Sequence, residues 1–201
     1  MPITHAKAIL RLAKKQPTIS ARDLRSTDVP RRLLAQMAAH GQLQRVGRGL
    51  YAHPDAAPSV HQSLIELATR VPKAVVCLLS ALQFHEIGTQ APFEVWIALP
   101  AGTHAPRITY PRLRVVRLSG QAYAAGVDVV MRDGASIRVY KLAKTITDCF
   151  KLRNKVGLDV ALEALREAWK ARKVTIDELW RYAKINRMTN VMRPYLEALT
   201  G

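Results

Sequence analysis

The chain has 201 residues, 49% of them hydrophobic, and carries 31 Lys+Arg against 15 Asp+Glu, a net charge of +16 with a pI near 10.4. That length holds one or two domains with real cores, and the apolar content excludes a disordered protein. The basic excess bears on partners and not on fold: it favours nucleic acid or an anionic membrane surface, while the absence of a run of roughly 18 apolar residues excludes a spanning helix.

The N-terminus, MPITHAKAILRLAKKQ, mixes charges with apolar residues and lacks the apolar stretch and cleavage site of a signal peptide. Cys77 and Cys149 stand far apart in apolar surroundings. They read as free, buried thiols, and a cytoplasmic protein is expected.

In chain order, residues 4–15 form an apolar stripe of Ile9, Leu12 and Ala13, with Lys7, Arg11, Lys14 and Lys15 outside it, which predicts a helix stopped by Pro17. TISARDLRS predicts a short second helix with Ser20 as N-cap and Asp23 in the capping-box position. TDVPRRLLAQMAAHG predicts a third, capped by Thr27 or Asp28, with Pro30 in its first turn and Gly41 at its end. Leu33, Leu34, Met37 and Ala38 face inward; Arg31, Arg32, Ala35, Gln36 and Ala39 face out. QLQRVGRGLYAHP then reads as a hairpin around Gly47-Arg48-Gly49. Three short helices followed by a basic hairpin is the order of a winged helix-turn-helix, whose last helix enters the major groove while the wing lies on flanking DNA. Residues 1–54 hold ten Lys/Arg and two acids, a net +8. HPDAAPS, residues 53–59, reads as a Pro-rich linker to a second domain over 60–201.

The second domain mixes both element types. SVHQSLIELATRVP predicts a helix ended by Pro72. AVVCLLSALQFHEIG predicts a β-branched run continuing as a helix to Gly88. FEVWIALP and RLRVVRLS predict strands, and VDVVMRDGASIRVY a hairpin turning at Asp133-Gly134. From Lys141 onward the pattern is helical, with Gly157 ending the first helix and Asp159, Thr175 and Thr189 near the starts of the next three. The fold class expected is α+β, a winged helix-turn-helix followed by a larger α/β domain with a helical end.

Two sets of basic residues offer nucleic-acid contacts. In the first, Arg31, Arg32 and Gln36 occupy the outer face of the third helix, where Arg reads guanine and Gln reads adenine. Arg45 and Arg48 belong to the hairpin; flanking glycines let Arg48 approach a phosphate. Lys14, Ser20 and Arg22 complete the candidate DNA-binding residues. The competing reading is a solvated turn and an ordinary polar helix face. The second set is Arg112 and Arg114 on one strand face with Lys141, Lys144, Lys151 and Lys155 at roughly helical spacing. Lys144 and Asp148, at i,i+4, read as a self-paired part of an exposed face.

Catalytic chemistry finds little support. The six histidines show no metal-ligand spacing with each other or with the cysteines, and no Gly-rich phosphate loop is present. Ser80 and His85 lie close in sequence without a third group. No catalytic residue, metal or cofactor is expected.

RVGRGLYAHP is similar to the wing of the abortive-infection AbiEi antitoxins, and KTITDCFKLRNKVG, DVALEALREA and RPYLEAL resemble blocks of that family's C-terminal domain. The resemblance implies a transcriptional regulator that represses its own operon by binding promoter repeats in double-stranded DNA. It also implies a type IV antitoxin that neutralises a nucleotidyltransferase-like toxin without a stable complex. By position it places the DNA-reading helix at Arg31–His40 and the wing at Arg45–Tyr51. The alternative is a winged-helix regulator whose C-terminal domain senses a ligand or dimerises, with no toxin partner. A nucleic-acid enzyme is a third, disfavoured by the residue inventory.

Overall fold

The computed structural model describes residues 3–15, 18–25, 29–47, 49–55, 62–109, 111–132 and 135–200. Pro17, Thr27, Asp28, Arg48, residues 56–59 of the linker and the Asp133-Gly134 turn lie outside the described residues. The protein is mixed α and β, with two sheets, and divides into two compact units. One comprises Met1–Pro72 with Val130–Ile137; the other comprises Lys73–Val129 with Arg138–Gly201.

In the first unit, α1 (Ile3–Lys15) buries Ile9 and Ala13 and leaves Lys7, Arg11, Lys14 and Lys15 exposed. A two-residue strand, β1 (Ile19–Ser20), precedes a run of turns over 21–25. The expected short helix is therefore a turn. Ser20 is committed instead to pairing with Leu50. The local hydrogen bonding nevertheless has capping-box character: the Ser20 N–H and Oγ–H both donate to Asp23 Oδ2 at 2.7 Å.

The next helix, α2 (Arg32–Ala39), buries Leu33, Leu34 and Met37. It ends at Gly41, whose φ of +71° suits glycine. The Gln42 N–H donates to the Met37 carbonyl and the Gly41 N–H to that of Ala38, the paired bonds of a Schellman motif. β2 (Gln44–Gly47) and β3 (Leu50–Ala52) pair antiparallel with a bulge between Arg45 and Gly47, and the sheet order is β1-β3-β2. Tyr51 is buried against the helices, as its place on the inner strand requires. This is the arrangement of a winged helix-turn-helix, with turns in place of the middle helix. The helix α3 (Gln62–Arg70) belongs to the same unit.

A five-stranded sheet of order β6-β5-β4-β8-β7 runs through β4 (Val75–Val76), β5 (Val95–Pro100), β6 (Leu113–Leu118), β7 (Val127–Arg132) and β8 (Ala135–Tyr140). β4 pairs antiparallel with β5 and parallel with β8, and β5 pairs parallel with β6. Between strands lie α4 (Leu78–Phe84) and a five-residue helix, α5 (Gly120–Ala124), which the sequence reading passed over. The chain then continues as α6 (Leu142–Lys151), α7 (Arg153–Val156), α8 (Leu158–Lys170), α9 (Ile176–Asn186) and α10 (Thr189–Thr200). The helix expected to run to Gly157 breaks at Leu152 into α6 and α7. α9 opens with a full capping box between Thr175 and Glu178.

Every residue of α6 from Leu142 to Phe150 is buried, because α4, α8 and α9 pack around it. Gly126, at φ +71°, lies against this helix: a Cβ there would sit 2.9 Å from Tyr182 Cε1 and 3.0 Å from Lys144 Cβ. Gly126→Ala is expected to cost about 1–3 kcal/mol through this overpacking. Urea unfolding followed by tryptophan fluorescence checks it, since Trp96, Trp169 and Trp180 all report on this unit.

Candidate nucleic-acid interface

α2 presents Arg31, Arg32, Ala35, Gln36 and Ala39 to solvent. The division follows from helical spacing, since Leu33, Leu34 and Met37 are drawn to the core. The two small alanines keep the outer surface low. Backbone bonds from Leu33 to Pro30 and Leu34 to Arg31 make Arg31 part of the first turn, so both arginines and Gln36 share one outward surface. Arg45, exposed on β2, donates from Nε to the Gly47 carbonyl at 3.4 Å. Gly49 has φ +73° with open space around it, so the residue following Arg48 does require glycine's conformational freedom.

Lys14 and Arg22 are exposed, whereas Ser20 is buried, its hydroxyl donating to Asp23 and accepting from the Arg22 N–H. Ser20 is thus withdrawn from the candidate contacts: it shapes the turn ahead of α2. Spacing missed a row on α1. Lys7, Arg11 and Lys15, at successive i,i+4 positions, line a shallow open depression.

The second candidate set does not form one surface. Lys144 was expected on an exposed face and is fully buried. Its ammonium donates to both Asp148 oxygens, at 2.5 and 2.6 Å, and lies 4.4 Å from the Tyr140 ring centroid. The i,i+4 spacing was read correctly, but α6 has no solvent face at that position. Asn186 Nδ2 donates to Asp148 Oδ1 at 2.7 Å and to Thr147 Oγ1 at 3.1 Å, while Asn186 Oδ1 is buried without a protein partner. Burial raises the Asp148 carboxyl above its ordinary range, and Lys144, Asn186 and Lys151 pull it back only in part.

The other members of that set are exposed and lie on different elements. Lys141 pairs with Asp128 at 3.7 Å, and Lys151 donates to the Asn186 carbonyl at 2.9 Å. Lys155 lies on α7, and Arg112 and Arg114 belong to the β6 segment.

Ser80 and His85 do not pair. Ser80 Oγ accepts the Trp96 N–H at 2.9 Å, and His85 Nε2 is 2.7 Å from the Tyr140 carbonyl. Burial lowers the His85 pKa, against the opposing pull of that carbonyl and of Asp128. Burial likewise raises both cysteine thiols, which are free and held from solvent and therefore poorly nucleophilic. Among the described residues, no group of three or more His, Cys, Asp or Glu could hold a metal ion, and no helix is long and apolar enough to cross a membrane.

The helix directly before the hairpin thus carries an exposed Arg-Arg-Gln face. Residues 7–54 match the family described as transcriptional regulator, AbiEi antitoxin. The AbiEi match spans α1, α2 and the hairpin, and it stops before the C-terminal blocks that carry the rest of the sequence resemblance. No curated protein matches the chain by sequence. Among solved structures, that of the RV2827C protein from Mycobacterium tuberculosis is similar over 90% of this chain and 71% of its own, with a TM-score of 0.53 and 14% identity. At that identity the likeness is one of fold.

Proposed function

We propose that the protein is a DNA-binding transcriptional autorepressor and the antitoxin of a type IV toxin–antitoxin operon. The observation that carries the DNA-binding half is the exposed Arg31, Arg32 and Gln36 face of α2 within the AbiEi-matching segment. In this reading α2 enters the major groove of promoter repeats. Arg45, together with Arg48 by its place between two glycines, contacts the backbone of the double-stranded DNA beside it. Lys14 and Arg22 add phosphate contacts, which fix position but carry no sequence information. The antitoxin half is supported by the family match and by the C-terminal blocks that resemble the same family. Its counterpart is a nucleotidyltransferase-like toxin, neutralised without a stable complex.

The second reading, a regulator whose C-terminal unit senses a ligand, draws on an open depression lined by His85, Asp128, Lys141, Lys173 and Glu178. One experiment separates the two. The protein is titrated onto its own upstream DNA across a salt series, and the gene is co-expressed with any neighbouring nucleotidyltransferase. Affinity is expected to fall by about 0.9 log units per log unit of salt for each phosphate neutralised. Growth arrest by the neighbour is expected to be relieved. A salt slope near zero defeats the DNA-binding half, and intact repression without relief favours the ligand-sensing regulator.

A further inference from the structure

We propose that the β6 edge of the C-terminal unit binds single-stranded nucleic acid, with one base stacked on Phe93. β6 ends the five-stranded sheet and has β5 as its one neighbour there. Residues 89–118 contain four arginines, Arg107, Arg112, Arg114 and Arg117, and a single acid, Glu94. All four arginines are exposed. Arg114 is held in place: its guanidinium lies 5.5 Å from the Trp96 ring centroid and 3.9 Å from Glu94, and the side chain remains 57% exposed. Arg117 is steadied by donation from Nε to the Thr103 carbonyl.

Phe93 stands at the same end of the sheet as Arg112. It lies two residues before Val95, whose N–H donates to the Arg112 carbonyl at 2.8 Å. It is 85% exposed, the most exposed large hydrophobic side chain among the described residues. Charge on an edge strand is ordinarily explained as a guard against edge-to-edge pairing. That explanation covers the arginines and not the exposed phenylalanine, which precedes the neighbouring strand β5. An acidic peptide would satisfy the arginines and leave Phe93 without a role. A duplex offers phosphates, but its base faces are already stacked on one another. A single strand supplies both a phosphate chain for the arginines and an open base face for the ring.

The test is fluorescence anisotropy with an oligothymidylate of about 12 nucleotides, within the span of known single-strand sites. The full chain carries Arg31→Ala, Arg32→Ala and Arg45→Ala, so that the N-terminal face contributes little. Adding Phe93→Ala is expected to weaken the oligonucleotide by roughly 5- to 100-fold, the range for one base–aromatic stack. Phe93→Trp is expected to restore binding, and a duplex of equal length is expected to be indifferent to either change. Arg112→Ala is expected to lower the salt slope by about 0.7, the value for one phosphate of a single strand. Unchanged binding by Phe93→Ala overturns the proposal. So does an equal loss on the duplex, or displacement by a glutamate-rich peptide that ignores Phe93. Phe93 makes so little contact that its loss should leave the melting temperature unchanged, and these outcomes then report on binding alone.

Discussion

Lys144→Ala is expected to destabilise the C-terminal unit by about 3–5 kcal/mol, because it leaves the buried Asp148 carboxylate without its hydrogen-bonded countercharge. Asp148 is 2% exposed and takes both of its short charged hydrogen bonds from Lys144. The remaining donor, Asn186, is neutral and cannot offset the charge. Replacing both partners with apolar residues of similar shape, Lys144→Met with Asp148→Leu, removes the uncompensated charge. It is expected to recover most of the loss, falling short by roughly 1–3 kcal/mol because Asn186 then lacks one acceptor. Urea unfolding read through tryptophan fluorescence measures both variants. A loss below about 1 kcal/mol for Lys144→Ala would mean that Asp148 reaches water, contrary to the burial of α6.

The combined variant Arg31→Ala, Arg32→Ala and Arg45→Ala is expected to weaken binding to the promoter by roughly 100- to 10,000-fold at fixed salt. The three side chains are exposed, one at the N-cap of α2, one on α2 and one on β2, so their loss removes little packing. The melting temperature should barely move, since surface substitutions usually stay within about ±0.5 kcal/mol each. The single changes should differ in kind. Arg45→Ala should weaken all DNA alike and lower the salt slope by about one, as a phosphate contact does. Arg32→Ala should relax preference at one base pair, at a cost of roughly 1–3 kcal/mol. Footprinting of a randomised promoter with each variant distinguishes them, and retained promoter affinity in the triple variant would place the reader elsewhere in the chain.

The elements that pattern and punctuation mark clearly were legible in the sequence. α2 announced itself through Leu33, Leu34 and Met37 at helical spacing and through Gly41, and its outward face follows from that spacing alone. The β7–β8 hairpin and the strands β5 and β6, though not their pairing, were legible from β-branched residues. What the sequence did not reveal depends on partners remote in the chain. Ser20 reads as a helix cap until Leu50, thirty residues on, claims it for a strand. α5 is only five residues long and begins at a glycine, too short for periodicity to register.

Lys144 and Asp148 have the same spacing whether a helix is exposed or enclosed. What separates the cases is the packing of α8 and α9 over α6 and the reach of Asn186 from the end of α9. The exposure of Arg31, Arg32 and Gln36 was legible because it depends on one helix face. Arg112 and Arg114 were legible as a basic strand face, whereas Phe93 joins their end of the sheet only through the register of β5 and β6.

The order β6-β5-β4-β8-β7 also governs how the protein is made. β4 is a central strand only two residues long, and Val76 completes its pairing with Val139, about sixty residues later. A ribosome that has released β4, β5 and β6 has therefore emitted a three-stranded sheet with its middle edge still open. That edge closes only when β8 arrives, and α6, which follows β8 directly, is the helix around which α4, α8 and α9 assemble. Loop closure over such a distance is slow compared with local helix formation. During synthesis the N-terminal unit's α1, α2 and first hairpin, whose strand pairings are complete by Ala52, should be native-like while the C-terminal unit is still an incomplete sheet. Nascent chains stalled before residue 135 should therefore be cut readily by protease within β4 to β6, and those stalled well past α9 should resist.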